Sequence, residues 1–196
     1  MNPNAEHILR TTAAPPRVFG DRFREERVLK SGCSVETLYG VDLAGGEPVV
    51  IKTVAADRIP PAAQMRLEHD AEVLRKIDSP LLAPLLAVGH RDERFFMVTR
   101  YRSGTTLEAL LRQRRLTVAE TLAVARCLLG ALAETHRHAV LHRDLKSANV
   151  ILETTEPIER AVLVGDALQG QERMLADLVL RLAAQHPDQL PIPAAA

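Results

Sequence analysis

The sequence predicts an α+β fold in two lobes: a five-stranded antiparallel sheet with one helix, then a smaller, mainly helical part. Three observations predict it. Short apolar runs punctuated by glycine fill the first half, at Val28-Leu29, Thr37-Leu38-Tyr39, Val49-Val50-Ile51, Leu85–Val88 and Phe95–Thr99. One helical pattern interrupts them between Pro60 and Ile77. A longer helical pattern opens near Thr117 and dominates the second half.

Each element has a local reason. Residues 1–24, with Asn, Thr and Pro15-Pro16, read as a flexible leader. The domain is expected over 25–186, its sheet lobe at 25–101 and its helical lobe at 102–186, with a Pro/Ala tail over 187–196. Gly32 and Gly45-Gly46 separate the first three runs into a meander. Pro60-Pro61 opens the first helix, with Leu67, Leu74 and Ile77 on one stripe. At 100° per residue Asp70 lies within about 60° of that stripe, while Glu68 and Glu72 fall opposite. The next two strands flank a turn at Arg91-Asp92-Glu93. Thr106 opens a short helix, and Thr117-Val118-Ala119-Glu120 is a capping box for the longest one. Along that helix Val118, Leu122, Ala125, Leu129 and Leu132 are expected in the core, with Cys127 nearby. Arg173–Ala184 reads as a last amphipathic helix, with Met174, Leu178 and Leu182 on one face.

Composition narrows the function. The 25 basic and 25 acidic residues of this 196-residue chain cancel, so no basic footprint points to nucleic acid. No apolar run approaches the roughly 20 residues of a membrane span. Cys33 and Cys127 are far apart, as in a reducing compartment. The sequence specifies no oligomeric state.

The chemistry concentrates in His142-Arg143-Asp144-Leu145-Lys146-Ser147-Ala148-Asn149, followed at once by the apolar run Val150-Ile151-Leu152. An acid, a cation two residues on and an amide five residues on are the parts phosphoryl transfer to a hydroxyl requires. Upstream stand Leu29–Thr37, containing Gly32, and Val49-Val50-Ile51-Lys52. Downstream, Ala161–Val164 leads into Gly165-Asp166-Ala167-Leu168.

In this order the motifs resemble those of eukaryotic-like Ser/Thr protein kinases: a glycine-rich loop, V-A-I-K, H-R-D-L-x-x-x-N and D-F-G. The resemblance covers residues ~25–168 and implies a kinase-like two-lobe fold with ATP and Mg²⁺ as cofactors. It implies Asp144 as base, Lys146 at the γ-phosphate, and Asn149 and Asp166 on Mg²⁺. Lys52 would grip the α and β phosphates, Asp70 would pair with Lys52, and Gly32 would sit in the phosphate lid. Adenine would bond to backbone of the connector at Arg100, Tyr101 and Arg102, with the small Thr99 leaving the rear of its pocket open.

The chain departs from the pattern in places. Lys30 and Val35 replace two loop glycines, and D-A-L replaces D-F-G. No A-P-E follows, and little sequence follows Asp166 to carry an activation phosphate for Arg143. A minimal kinase without activation-segment control is therefore expected, acting on Ser/Thr of a protein substrate. Compact kinases of this kind occur among bacterial effectors delivered into host cells. The expected location is cytoplasmic, in the bacterial cytosol or, for a secreted effector, the host cytosol. Two other readings stay open: a pseudokinase scaffold, given the lost glycines, and a small-molecule phosphotransferase, given the missing docking helices.

Overall fold

Alternation of apolar and polar residues builds the first lobe. The computed structural model describes residues 16–32, 35–142, 145–155 and 157–164. Strands β1 (Val18–Phe19), β2 (Phe23–Ser31), β3 (Val35–Asp42), β4 (Pro48–Ala55), β5 (Leu85–Arg91) and β6 (Arg94–Arg100) form an antiparallel sheet in the order β1-β2-β3-β4-β6-β5. Helix α1 (Pro61–Leu74) lies between β4 and β5 in sequence. All five expected runs fall within strands. The β5–β6 turn uses Asp92 and Glu93, both with positive φ, as a two-residue hairpin with matching twist requires.

Register assigns the two faces. Lys52 pairs with Thr37 on one side and Met97 on the other; Ile51 pairs with Leu38 and Val98. Because side chains alternate, Val54, Lys52, Met97 and Phe95 share the inner face. There Val54 and Phe95 pack on Ile59 and Leu67, and Met97 packs on Ala71 and Leu85. Val49, Ile51, Phe96 and Val98 share the outer face and pack on Phe19 and Phe23.

That outer cluster corrects the expected leader. Its last part is folded, because Phe19 and Phe23 are each only 2% exposed and burying such a side chain stabilises by about 1.5–3 kcal/mol. Phe19 meets Phe96 edge-on at 5.4 Å, and the Arg91 guanidinium donates to the Val18 carbonyl. A two-residue strand is too short for periodicity to reveal it.

The second lobe is built of shorter pieces. Strand β7 (Thr105–Thr106) precedes α2 (Leu107–Gln113) and α3 (Val118–Arg137); a 3₁₀ turn (Ser147–Asn149) leads into β8 (Val150–Leu152), which pairs with β7 and β9 (Ala161–Leu163). Thr106 caps α2, its hydroxyl accepting from Ala109 N–H at 3.1 Å. The capping box of α3 is formed, with Thr117 N–H to Glu120 at 2.7 Å and Glu120 N–H to the Thr117 hydroxyl at 3.2 Å.

The face of α3 differs from expectation. Leu122 and Leu129 are 52% and 58% exposed, and the buried stripe is instead Thr121, Val124, Leu128, Ala131, Leu132 and Thr135. Both threonines are tolerated inside because their hydroxyls donate to Thr117 and Leu132 carbonyls of the same helix, at 2.9 and 3.0 Å. Cys127 packs against the core as expected.

Among the described residues, no helix is long and apolar enough to cross a membrane. The expected helix at 173–184 and the tail at 187–196 lie outside the described residues.

Candidate active site

Lys52 stands in mid-strand on β4, flanked on the inner face by Thr37 and Met97. Helix α1 covers that same face through Leu67 and Ala71. Asp70, next in sequence to Ala71, is only 8% exposed, while Glu68 and Glu72 point to solvent. Of the three acids Asp70 is thus the buried one, on the side of α1 that carries Leu67 and Ala71. Carboxylates are rarely buried without a cationic or hydrogen-bonded partner.

The hairpin between β2 and β3 leads into the strand that pairs with Lys52. Its last ladder pair is Ser31 with Glu36, and Gly32 N–H closes the turn onto the Val35 carbonyl at 2.9 Å. Cys33 and Ser34, at its tip, lie outside the described residues. Gly32 thus lies one residue beyond the last pair of the β2–β3 ladder.

The connector between the lobes is fixed by its own backbone. Arg100 N–H donates to the Pro84 carbonyl at 2.9 Å, and Tyr101 N–H to the Pro48 carbonyl at 3.0 Å. Tyr101 also meets Tyr39 of β3 edge-on at 5.4 Å. Arg102 lies 3.6 Å from Glu153 and donates to the Leu82 carbonyl at 3.5 Å. Gly104, at φ +142°, passes so near the Leu152 carbonyl that a β-carbon would collide with it. Behind Thr99 an apolar pocket opens, lined by Leu74, Ile77, Leu85, Met97, His142 and Leu163 among others.

The catalytic stretch is reached at the end of α3. Arg143 and Asp144 lie outside the described residues, as does Asp166. What frames them is described. Leu145 is 6% exposed and anchors the loop in the core of the second lobe. Lys146 precedes the 3₁₀ turn, its carbonyl accepting from Asn149 N–H at 2.9 Å. Asn149 is 6% exposed, and its carbonyl accepts from Val164 N–H at 2.8 Å. Leu163 is in turn held between Leu81 and Ala83 by backbone bonds of 2.9 and 3.0 Å. The chain therefore leaves β9 into Val164, which is two residues before Asp166 and directly beside Asn149.

Two contacts at the site escaped the sequence reading, those of Tyr39 and Gly104, as did the folded position of Arg17. Gly104 stood in the connector sequence, but its near contact with Leu152 follows from the β7–β8 pairing, which no local pattern reveals. Tyr39 was assigned as a strand residue, and its contact with Tyr101 spans both ends of the sheet lobe. Arg17 fell within the expected leader.

Residues 23–164 match the family described as the protein kinase domain. A probable serine/threonine-protein kinase of Streptomyces coelicolor is 32% identical over 143 residues, which cover 70% of this chain and 21% of that protein. The serine/threonine-protein kinase PknD of Mycobacterium tuberculosis is 28% identical over 132 residues, covering 66% of this chain and 20% of that protein. The chain thus spans about a fifth of the length of these two relatives. Among solved structures, the PknI kinase domain of Mycobacterium tuberculosis superposes with a TM-score of 0.70 at 22% identity, covering 81% of this chain and 64% of that one. Rad53, solved in complex with AMP-PNP, superposes with a TM-score of 0.65 at 20% identity, covering 83% of this chain and 43% of that one.

Proposed function

The chain belongs to the protein kinase domain family, with Ser/Thr kinases among its relatives, and on that premise we propose that it transfers the γ-phosphate of magnesium-bound ATP to Ser or Thr hydroxyls of a protein. What supports this reading is the family match together with two placements: Lys52 in mid-strand on the inner face of the sheet lobe, and the Lys146–Asn149 turn bonded to Val164 in the second lobe.

Nucleotide binding would begin at the connector between the lobes. With Arg100 and Tyr101 N–H groups engaged internally, an adenine would read the Arg100 carbonyl and the N–H and carbonyl of Arg102. Tyr101 then acts through its contact with Tyr39, as a brace. Lys52 grips the α and β phosphates as a cation on a rigid strand, and Asp70 orients its ammonium. Gly32 brings hairpin backbone near the phosphates, since it lacks a β-carbon.

Transfer needs little covalent help from the protein. Asp144 accepts the proton of the attacking hydroxyl, and Lys146 offsets charge on the transferring phosphoryl group. Asn149 and Asp166 supply hard oxygen donors, the kind magnesium takes, and the Val164–Asn149 bond brings their segments together. Magnesium, when bound there, neutralises phosphate charge.

The test is incubation with labelled ATP, Mg²⁺ and a Ser/Thr-containing acceptor protein, followed by mapping of the modified residues. The expected outcome is label on Ser and Thr that requires Mg²⁺. Nucleotide binding without any transfer would favour a scaffold instead.

A further inference from the structure

The β2–β3 hairpin is weakly secured by its own ladder. From Glu26 to Ser31 every residue of β2 is exposed, and the register to β3 shifts twice, between Glu25 and Arg27 and between Val28 and Lys30. Irregular pairing of exposed residues leaves a strand easy to displace. A hairpin with one glycine in place of three adapts less to a ligand once displaced. Something must therefore hold it in register with Lys52.

Arg17 has the geometry to do so. Its Nε and Nη2 donate to both carboxylate oxygens of Glu25 on β2, at 2.6 and 3.0 Å, and its Nη1 donates to Glu36 on β3 at 3.0 Å. Its carbonyl accepts from Glu25 N–H at 2.8 Å. Glu36 belongs to the ladder pair nearest the turn, so the grip reaches the tip end of the hairpin. Glu36 also accepts from the Thr53 hydroxyl at 3.4 Å, and Thr53 accepts from Arg94 Nε at 2.9 Å. The chain of contacts runs from the N-terminal segment across β2, β3 and β4 to β6. Glu36 pairs in register with Thr53, on the outer face, whereas its neighbour Thr37 pairs with Lys52 on the inner one. The clamp and the cleft are on opposite sides of one sheet.

We infer that Arg17 is a positioning residue for the nucleotide phosphates, holding the β2–β3 hairpin at a fixed height over Lys52 without touching ligand. The inference rests on the ATP-binding reading. The charged groups are only 15–33% exposed and one pair is bidentate, so the grip exceeds an ordinary surface ion pair. Fixing the hairpin beforehand removes an ordering cost from binding. That gain accrues only to ligands that reach the hairpin, which means those with phosphates.

The test compares Mg-ATP with adenosine, by calorimetry or competition, on wild type, Arg17→Ala and Glu36→Gln. The expected result for Arg17→Ala is Mg-ATP affinity lower by about tenfold and adenosine affinity changed by less than about twofold. Amide exchange in the β2–β3 arms should quicken while β5–β6 is unaffected. Glu36→Gln should act in the same direction with a smaller effect, and it decides the matter if Arg17→Ala does not fold. Equal loss for both ligands would mean a merely structural role and overturn the inference. So would unchanged Mg-ATP affinity in variants of a wild type that binds it. A wild type that binds neither ligand would overturn the ATP reading itself, and the inference with it.

Discussion

The two lobes hold their functional residues in different ways. In the sheet lobe, Lys52 sits inside a ladder of seven consecutive pairs with β3 and seven with β6, so its position is determined many times over. In the second lobe the strands are two or three residues long, and among the described residues the backbone of Asn149 bonds to Lys146 and Val164. The redundant lobe should tolerate change and lose affinity by degrees. The sparse lobe should lose turnover abruptly.

The largest effect tests that contrast. Asp144→Asn should lower phosphotransfer by about 10²–10⁴ while leaving ATP affinity nearly unchanged, since the base faces the acceptor. Initial rates beside a nucleotide titration measure both. A variant of full activity would show that the base lies elsewhere.

Next comes the seam between the lobes. Gly104 adopts φ +142° against the Leu152 carbonyl, a place with no room for a side chain. Gly104→Val should destabilise by about 2–4 kcal/mol, from backbone strain plus displacement of β8. Chemical denaturation reads this directly, and a loss under about 0.5 kcal/mol would show that β7–β8 is not a tight joint.

The smallest effect lies far from the cleft. The Arg114 guanidinium, with the Thr117 N–H, holds the Glu120 carboxyl at a pKa of about 2, against an ordinary 4.5. A depressed carboxyl contributes stability present above its unfolded pKa and lost as pH falls through the folded one. Glu120→Gln should therefore cost about 1–2 kcal/mol at pH 7, the pair being partly solvent-screened, and progressively less between pH 4.5 and 2. A cost that does not change over that range would assign it to the lost capping geometry alone.

The same contrast explains what the sequence disclosed. Short apolar runs separated by glycine and turn residues mark strands, so the five expected ones were legible, and helical phase together with the family pattern singled out Asp70 from Glu68 and Glu72. The core face of α3 was misread because side-chain type misleads there: Leu122 and Leu129 are apolar yet exposed, while Thr121 and Thr135 are polar yet satisfied within the helix. Long-range pairings left no local signal. Arg17 to Glu36, Tyr39 to Tyr101 and Val164 to Asn149 depend on how distant segments meet, and each bears on the site.

The central claim is that magnesium-bound ATP occupies the cleft with its phosphates on Lys52. It is tested most directly by calorimetric titration of ATP into wild type and Lys52→Ala, with Mg²⁺ and with chelator. The account predicts magnesium-dependent binding to wild type, weakened about tenfold or more in Lys52→Ala. No heat of binding to the folded wild type at millimolar Mg-ATP would contradict it.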